Sequence, residues 1–355
     1  MSPLPELSRF HIVRLNAKRF PIIESEAELY RRYHCEPVCV EADTTEQIIS
    51  HIVDCDALHV VSDALPKHLI ESLSRCRVIS RMGAGTDKID VATATQRGIV
   101  VTNVPMFCVA EQANYAMLLL LALARKLPRM LGAMRSGTFR KSTLESMKNR
   151  RLSECVLGLV GFGHTAKATA HRAQAFGMKI LATRRTLNSA PNTKKDDEVE
   201  MVDLNTLLRT SDYVSLHVPL TEQTHHLIDA EALRLMKPTA FIINTARGAV
   251  IDESALVDAL REGRIAGAGL DVYESIDVFG QTDNSPPTHP LFNLDNVILT
   301  PHVASFSHEA RQDVTRGAIE NVAAILQGYW PREDNIVNRE VVPRIQLAPY
   351  REDLF

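Results

Sequence analysis

The 355-residue sequence is short of several things, and each shortage narrows what the chain can do. It has no excess of basic charge. Its 40 Lys and Arg stand against 43 Asp and Glu for a formal net charge of −3, so composition offers no footing for nucleic acid or an anionic membrane surface. It has no long apolar run: the longest near-continuous one, "AMLLLLALA" at 116–124, falls far below the ~20 residues needed to cross a bilayer and reads as a buried helix. The opening "MSPLPELSRFHIVRL" lacks the charged start, apolar core and small-residue cleavage site of an export signal. The six cysteines lack the paired short spacings of a metal site, so reduced structural thiols in a cytoplasmic protein are expected. No internal repeat is visible.

What is present is a chain long enough for two cores. In the first hundred residues, short apolar runs ("FHIVRL", "PVCVEA", "ALHVVS", "RVISRMG") alternate with amphipathic stretches ("EAELYRRYH", "TEQIISHIV", "KHLIESLSRC", "DVATATQRG"). That alternation marks a parallel sheet covered by helices. A second series begins at "ECVLGLVGFG" and continues through "KILATRR", "YVSLHVP", "AFIINTARG", "AGAGLDVYE" and "NVILTPH". Between the two, "VAEQANYAMLLLLALARKLPRMLGAMRSG" predicts a long helix followed by a second. "NSAPNTKKDDEVE" and "SIDVFGQTDNSPPTHP" predict exposed loops. The fold class is therefore α/β, with two doubly wound parallel-sheet domains.

Gly161-Phe162-Gly163-His164-Thr165-Ala166 follows the apolar strand "CVLGLV" and opens a helical stretch. Gly161 suits a tight turn, Gly163 lets a pyrophosphate approach the backbone, and the small Ala166 lets helix and strand pack closely. Free N–H groups at the helix start would then meet the phosphates. A dinucleotide fold usually places an acid about 20 residues further on to grip the ribose hydroxyls. Here that acid is missing, and Arg184-Arg185 follow Thr183. Two guanidinium groups suit a 2′-phosphate, so NADP is expected over NAD; a solvated basic strand end is the competing reading.

The stretch from Leu216 to Glu274, with "RMGAGTDKIDV" before it and "TPHVASFS" after, closely resembles the D-isomer-specific 2-hydroxyacid dehydrogenase family over about residues 50–338. The resemblance implies a flavodoxin-like substrate domain (1–105 plus 304–355), a Rossmann NAD(P)-binding domain (106–303) and an active site in the cleft between them. It implies NAD(P)H-dependent reduction of a small 2-oxo acid to a D-2-hydroxy acid. Arg247 in "NTARG" matches the catalytic arginine and His302 in "TPH" the catalytic histidine. The chemistry agrees: a guanidinium fork can clamp a carboxylate and polarise the neighbouring carbonyl, and an imidazolium can protonate the oxygen as hydride arrives.

By the same resemblance, Met82–Thr86 is the substrate loop, with Ala84 and Gly85 as contacts. Asp271 holds the nicotinamide carboxamide, Thr245 and Ala246 line that pocket, and Val218 touches the cofactor, while His217 is structural. A homodimer through the helices around 109–137 is implied. The substrate side chain stays open among glyoxylate, hydroxypyruvate and bulkier 2-oxo acids. The glutamate that normally pairs with the histidine is missing: five residues beyond Asp271 stands Ile276. Asp277 is the preferred substitute, ahead of Glu274. That departure keeps open a nucleotide-sensing protein like the C-terminal-binding-protein corepressors, whereas a formate-type enzyme would need a glutamine that Gln281 is too distant to supply.

Overall fold

The computed structural model describes residues 10–353 apart from 19, 43, 186–198, 277 and 279–287. The strands in chain order are β1 Ile12–Leu15, β2 Val38–Val40, β3 Ala57–Val60, β4 Val78–Arg81, β5 Val100–Thr102, β6 Val156–Val160, β7 Lys179–Thr183, β8 Val199–Met201, β9 Tyr213–Leu216, β10 Phe241–Asn244, β11 Gly267–Leu270 and β12 Val297–Leu299. The helices are α1 Glu24–Arg32, α2 Thr45–Ile52, α3 Lys67–Ser72, α4 Val91–Gln96, α5 Val109–Ala124, α6 Leu127–Ser136, α7 Phe139–Ser146, α8 His164–Ala175, α9 Leu204–Thr210, α10 Ala230–Leu235, α11 Glu253–Arg261 and α12 His308–Leu326.

The chain divides into two compact units, Met1–Phe107 with Ser307–Phe355, and Cys108–Phe306. The first holds a five-stranded sheet in the order β2-β1-β3-β4-β5 and the second a seven-stranded sheet in the order β12-β11-β10-β9-β6-β7-β8. Every pairing is parallel. Parallel strands are covered on both faces, which is why β1, β3 and β9 are buried at all four positions rather than at every second one. Helix starts are set by short polar side chains: Thr44, Asp90, Asp203, Asp229, Asp252 and Ser307 each accept the backbone N–H three residues on.

The bridge between the two strand series folds as expected into two helices, α5 and then α6, with Lys126 in the left-handed region at the break. A correction falls at the end of the first predicted loop. Val199 and Glu200 belong to β8, which pairs with β7 at the sheet edge through Ile180–Val199 and Leu181–Glu200. Only one face of this short edge strand packs, so its sequence shows too little apolar signal to be read as a strand.

Candidate active site

In a doubly wound sheet, ligands collect beyond the carboxyl ends of the strands, where the strand order reverses. The reversal here lies between β6 and β9. The candidate residues of the second unit stand on that same edge: Gly161 after β6, Arg184 after β7, Val218 after β9, Thr245 to Arg247 after β10, Asp271 after β11 and His302 after β12.

The glycine turn is built for close approach. Gly161 has φ +92°, and a Cβ there would lie 2.7 Å from the carbonyl oxygen of His217 and 2.8 Å from Val218 Cγ1, so a side chain would collide with the end of β9. Gly163 caps α8 with no side-chain hydrogen bond, and a Cβ there would meet nothing within 4 Å. Phe162 is half-buried, and His164 and Thr165 form the first turn of the helix, above Ala166, which is fully buried against the strand. The cradle is open, glycine-lined and faced by helix N–H groups, which fits a dinucleotide pyrophosphate.

Val160 is level with Thr183, and the N–H of Gly161 donates to the carbonyl of Thr183 at 3.0 Å. Arg184 and Arg185 therefore begin beside the glycine turn. Both are exposed, and neither has an ion-pair partner among the described residues. Just beyond β9, the His217 ring lies 2.9 Å from Ser215 Oγ, and burial pushes its pKa down to about 4. A neutral, internally bonded imidazole agrees with a structural part.

After β10 the turn is stapled by Asn244. Its Nδ2 donates to the carbonyl of Arg247 (2.8 Å) and its Oδ1 accepts from the N–H of Ala246 (3.0 Å). Arg247 is extended (φ −146°), and its Nη1 donates to the carbonyl of Ala246 at 2.7 Å. Thr245 is buried, with Oγ1 unpartnered among the described residues. Sequence reasoning passed over Asn244, although it stands inside the quoted "NTARG".

Asp271 is fully buried. Its carboxylate accepts from the Thr300 hydroxyl (2.6 Å) and from the N–H groups of Val303 (3.0 Å) and Ala304 (2.8 Å). These donors bracket His302, which sits in the left-handed region at φ +57° with its N–H 3.0 Å from the Thr300 carbonyl. A non-glycine residue held there is uncommon, and His34 and His226 share the conformation. Burial pushes the Asp271 pKa up, and the hydrogen bonds from Thr300, Val303 and Ala304 act in the opposite direction. Tyr273, another residue unmarked by the sequence reading, places its hydroxyl 3.1 Å from the Leu270 carbonyl and 2.9 Å from that of Thr300, tying the ends of β11 and β12 together.

Of the two acids weighed as partners of His302, Asp277 lies outside the described residues. Glu274 is engaged elsewhere: its oxygens lie 2.9 and 3.0 Å from His226 Nε2, and its N–H donates to Glu253. Together with His225 these groups form a cluster of potential metal ligands. The near-equal His226 contacts are those of one N–H shared by a carboxylate, which turns the imidazole proton rather than a lone pair toward the oxygens.

Ala84 and Gly85 belong to the first unit. They lie in the loop that leaves β4, and both are half-buried. The six cysteines are all free thiols, and no helix among the described residues is long and apolar enough to cross a membrane.

Comparison with known proteins agrees with this geometry. Residues 117–304 match the D-isomer specific 2-hydroxyacid dehydrogenase NAD binding domain. The chain is 41% identical over 300 residues to a glyoxylate reductase of Thermococcus litoralis, covering 83% of this chain and 87% of that one. Its fold matches D-lactate dehydrogenase of Aquifex aeolicus, solved with NAD and lactic acid, at TM-score 0.79 and 26% identity over 92% of this chain and 99% of that one. An acyclic imino acid reductase solved with NADPH and D-Arg matches at TM-score 0.78 and 27% identity, with the same coverage. The chain belongs to the D-isomer specific 2-hydroxyacid dehydrogenase family. It is an NAD(P)-dependent oxidoreductase that reduces 2-oxo acids to D-2-hydroxy acids.

Proposed function

We propose that this enzyme reduces glyoxylate, or a 2-oxo acid of similar size, using NADPH in preference to NADH. The observation that carries the reading is the placement of Arg247 and His302 on the same carboxyl edge of one sheet, after β10 and β12, the first stapled by Asn244 and the second pinned by Asp271. The first unit is the substrate domain and the second the nucleotide domain.

The bound nicotinamide supplies the hydride. Gly161, Phe162, Gly163, His164 and Thr165 would hold its pyrophosphate, Val218 its adenosine side, and Thr245, Ala246 and Asp271 its carboxamide. A carboxylate has about four acceptor sites, and three are taken on Asp271, so one remains for a carboxamide N–H. The substrate carboxylate rests on the N–H groups of Ala84 and Gly85. Arg247 pairs with that carboxylate and polarises the carbonyl, and His302 delivers the proton to the developing alkoxide. Asp277 supplies the carboxylate beside His302.

Arg184 and Arg185 support the cofactor preference, since an exposed guanidinium pair beside the glycine turn suits a 2′-phosphate. A homodimer through α5 and α6 is supported by large apolar side chains left exposed there, among them Leu118, Leu131 and Met134. The free thiols fit a reducing, cytoplasmic setting.

The test follows NADPH and NADH oxidation against glyoxylate, hydroxypyruvate and branched 2-oxo acids. Fastest turnover of glyoxylate with NADPH is expected. A wide preference for NADH, or for the branched acids, would overturn the corresponding part. Tight nucleotide binding without turnover of any acid would favour the corepressor-like reading.

A further inference from the structure

The loop Met82–Thr86 offers a carboxylate only backbone N–H groups, and something must hold those groups in place. Each carbonyl from Met82 to Gly85 meets a donor of the protein. Arg81 Nη1 donates to the carbonyl of Met82, the Val104 N–H to that of Gly83 (3.1 Å), Asn103 Nδ2 to that of Ala84 (2.6 Å), and Arg81 Nε to that of Gly85 (3.0 Å). In a planar trans peptide the C=O and the following N–H point in opposite directions. Fixing the carbonyls of Gly83 and Ala84 therefore fixes the N–H groups of Ala84 and Gly85 on the other side of the chain. No acceptor takes either N–H among the described residues, and both residues are half-buried.

Arg81 closes this arrangement at its two ends, holding the first and fourth carbonyls with one guanidinium. The chain can curl around that group because Gly83 takes φ +152°, and a Cβ there would lie 2.6 Å from Arg81 Nη1.

We propose that Arg81, with Asn103, is a positioning residue for the reaction: the pair gathers the loop carbonyls inward so that the Ala84 and Gly85 N–H groups receive the substrate carboxylate. The inference rests on the reading of this loop as the carboxylate site. Arg81 acts through the loop, and its effect falls on binding of the 2-oxo acid rather than of the nucleotide.

The experiment uses the full chain with glyoxylate as the probe. Arg81→Met is expected to raise KM for glyoxylate roughly tenfold or more, with kcat less affected and the NADPH Kd, read by fluorescence, unchanged. Arg81→Lys, which keeps the charge but loses the fork, should fall between Arg81→Met and the parent. Amide hydrogen exchange over residues 82–86 should quicken in Arg81→Met. Asn103→Ala should raise KM in the same direction, and it decides the matter if Arg81→Met does not fold. Ala84→Pro deletes one N–H donor and tests the carboxylate site itself. If Ala84→Pro raises KM while Arg81→Met and Asn103→Ala leave it at the parent value, the positioning role is wrong and the carboxylate site stands. If none of the three moves KM, both fall together. A raised KM in Arg81→Met with unchanged exchange over 82–86 would make the guanidinium a direct ligand of the substrate and overturn the positioning role.

Discussion

At the scale of single residues, the chemistry depends on side chains whose directions are fixed by neighbours. Arg247 is presented by a turn that Asn244 closes from both sides. Lysine at 247 would keep the charge and lose the planar fork, so Arg247→Lys should bind nucleotide normally and lose on the order of a hundredfold or more in kcat/KM. Turnover near the parent level in a folded Arg247→Lys protein would remove Arg247 from the substrate site. Asp271 is a sharper case because three protein donors converge on it. Asparagine there would turn an NH2 toward a donor and free the segment that carries His302. Asp271→Asn should lower kcat roughly tenfold or more and shift the pH profile of reduction, a change that simple loss of a carboxamide contact would not produce.

The partner of His302 is tested by the same kind of profile. A carboxylate beside an imidazolium raises its pKa and extends the basic limb of reduction. Asp277→Asn should pull that limb to lower pH, whereas Glu274→Gln should leave it in place because Glu274 faces His226. Identical limbs in both variants and the parent would leave His302 acting without a carboxylate.

At the scale of elements, the nucleotide-binding edge was readable from sequence because strand, glycine turn and helix are consecutive. Gly161, Gly163 and α8 lie within one short stretch, and apolar runs announce the strands on either side of it. What could not be read depends on register between strands. Arg14, His59, Ser80 and Thr102 are level with one another across β1, β3, β4 and β5 and form a buried polar row through the first sheet. Each strand alone shows one or two polar residues beside apolar ones, so only the pairing reveals the row. The bracketing of His302 by Asp271 escaped the sequence reading for the same reason, since residues 271 and 300–304 meet only because β11 and β12 are neighbours.

Two element-level outcomes follow from exposed side chains. Replacing Arg184 with Asp and Arg185 with Ala should move preference from NADPH toward NADH, each lost charge-assisted bond being worth about 1.5–3 kcal/mol when well formed. Added salt should weaken NADPH binding more than NADH binding in the parent. An unaltered preference in the double variant would leave these arginines as a solvated strand end. Leu131 and Met134 lie on α6 at 50% and 66% exposure, spaced to share one face of the helix. Glutamate at both should halve the mass measured by light scattering if that face joins two copies, and an unchanged mass would place any interface elsewhere.

At the scale of the whole molecule, each unit carries a histidine that folding keeps neutral. His59 is fully buried in the polar row of the first sheet, and burial, helped by the nearby Arg14 charge, pushes its pKa down to about 3. His217 of the second unit is pushed down to about 4 by burial alone. Unfolding returns both toward the ordinary ~6.5, so below that pH the unfolded chain binds protons that the folded chain refuses. The sign is therefore fixed: this stability is complete above pH ~6.5 and drains away as pH falls toward the folded values. For the fully buried His59 the slope is about 1.4 kcal/mol per pH unit. The buried carboxylate of Asp212 acts in a lower window. Burial disfavours its charge, but the Val156 N–H, Lys237 and Arg150 outweigh that and hold its pKa below the usual 3.8. Between pH 6.5 and 4, then, the histidines govern the acid limb rather than this carboxylate. Replacing His59 with glutamine removes the titrating group without adding charge. Urea unfolding at pH 7, 6, 5 and 4 should show a shallower loss of stability in His59→Gln than in the parent, whatever the variant's stability at pH 7. His217→Gln should flatten the same limb independently, because the two histidines belong to different compact units. Acid limbs of equal slope in the parent and His59→Gln would mean that His59 is protonated in the folded protein and that the polar row carries a charge at its centre.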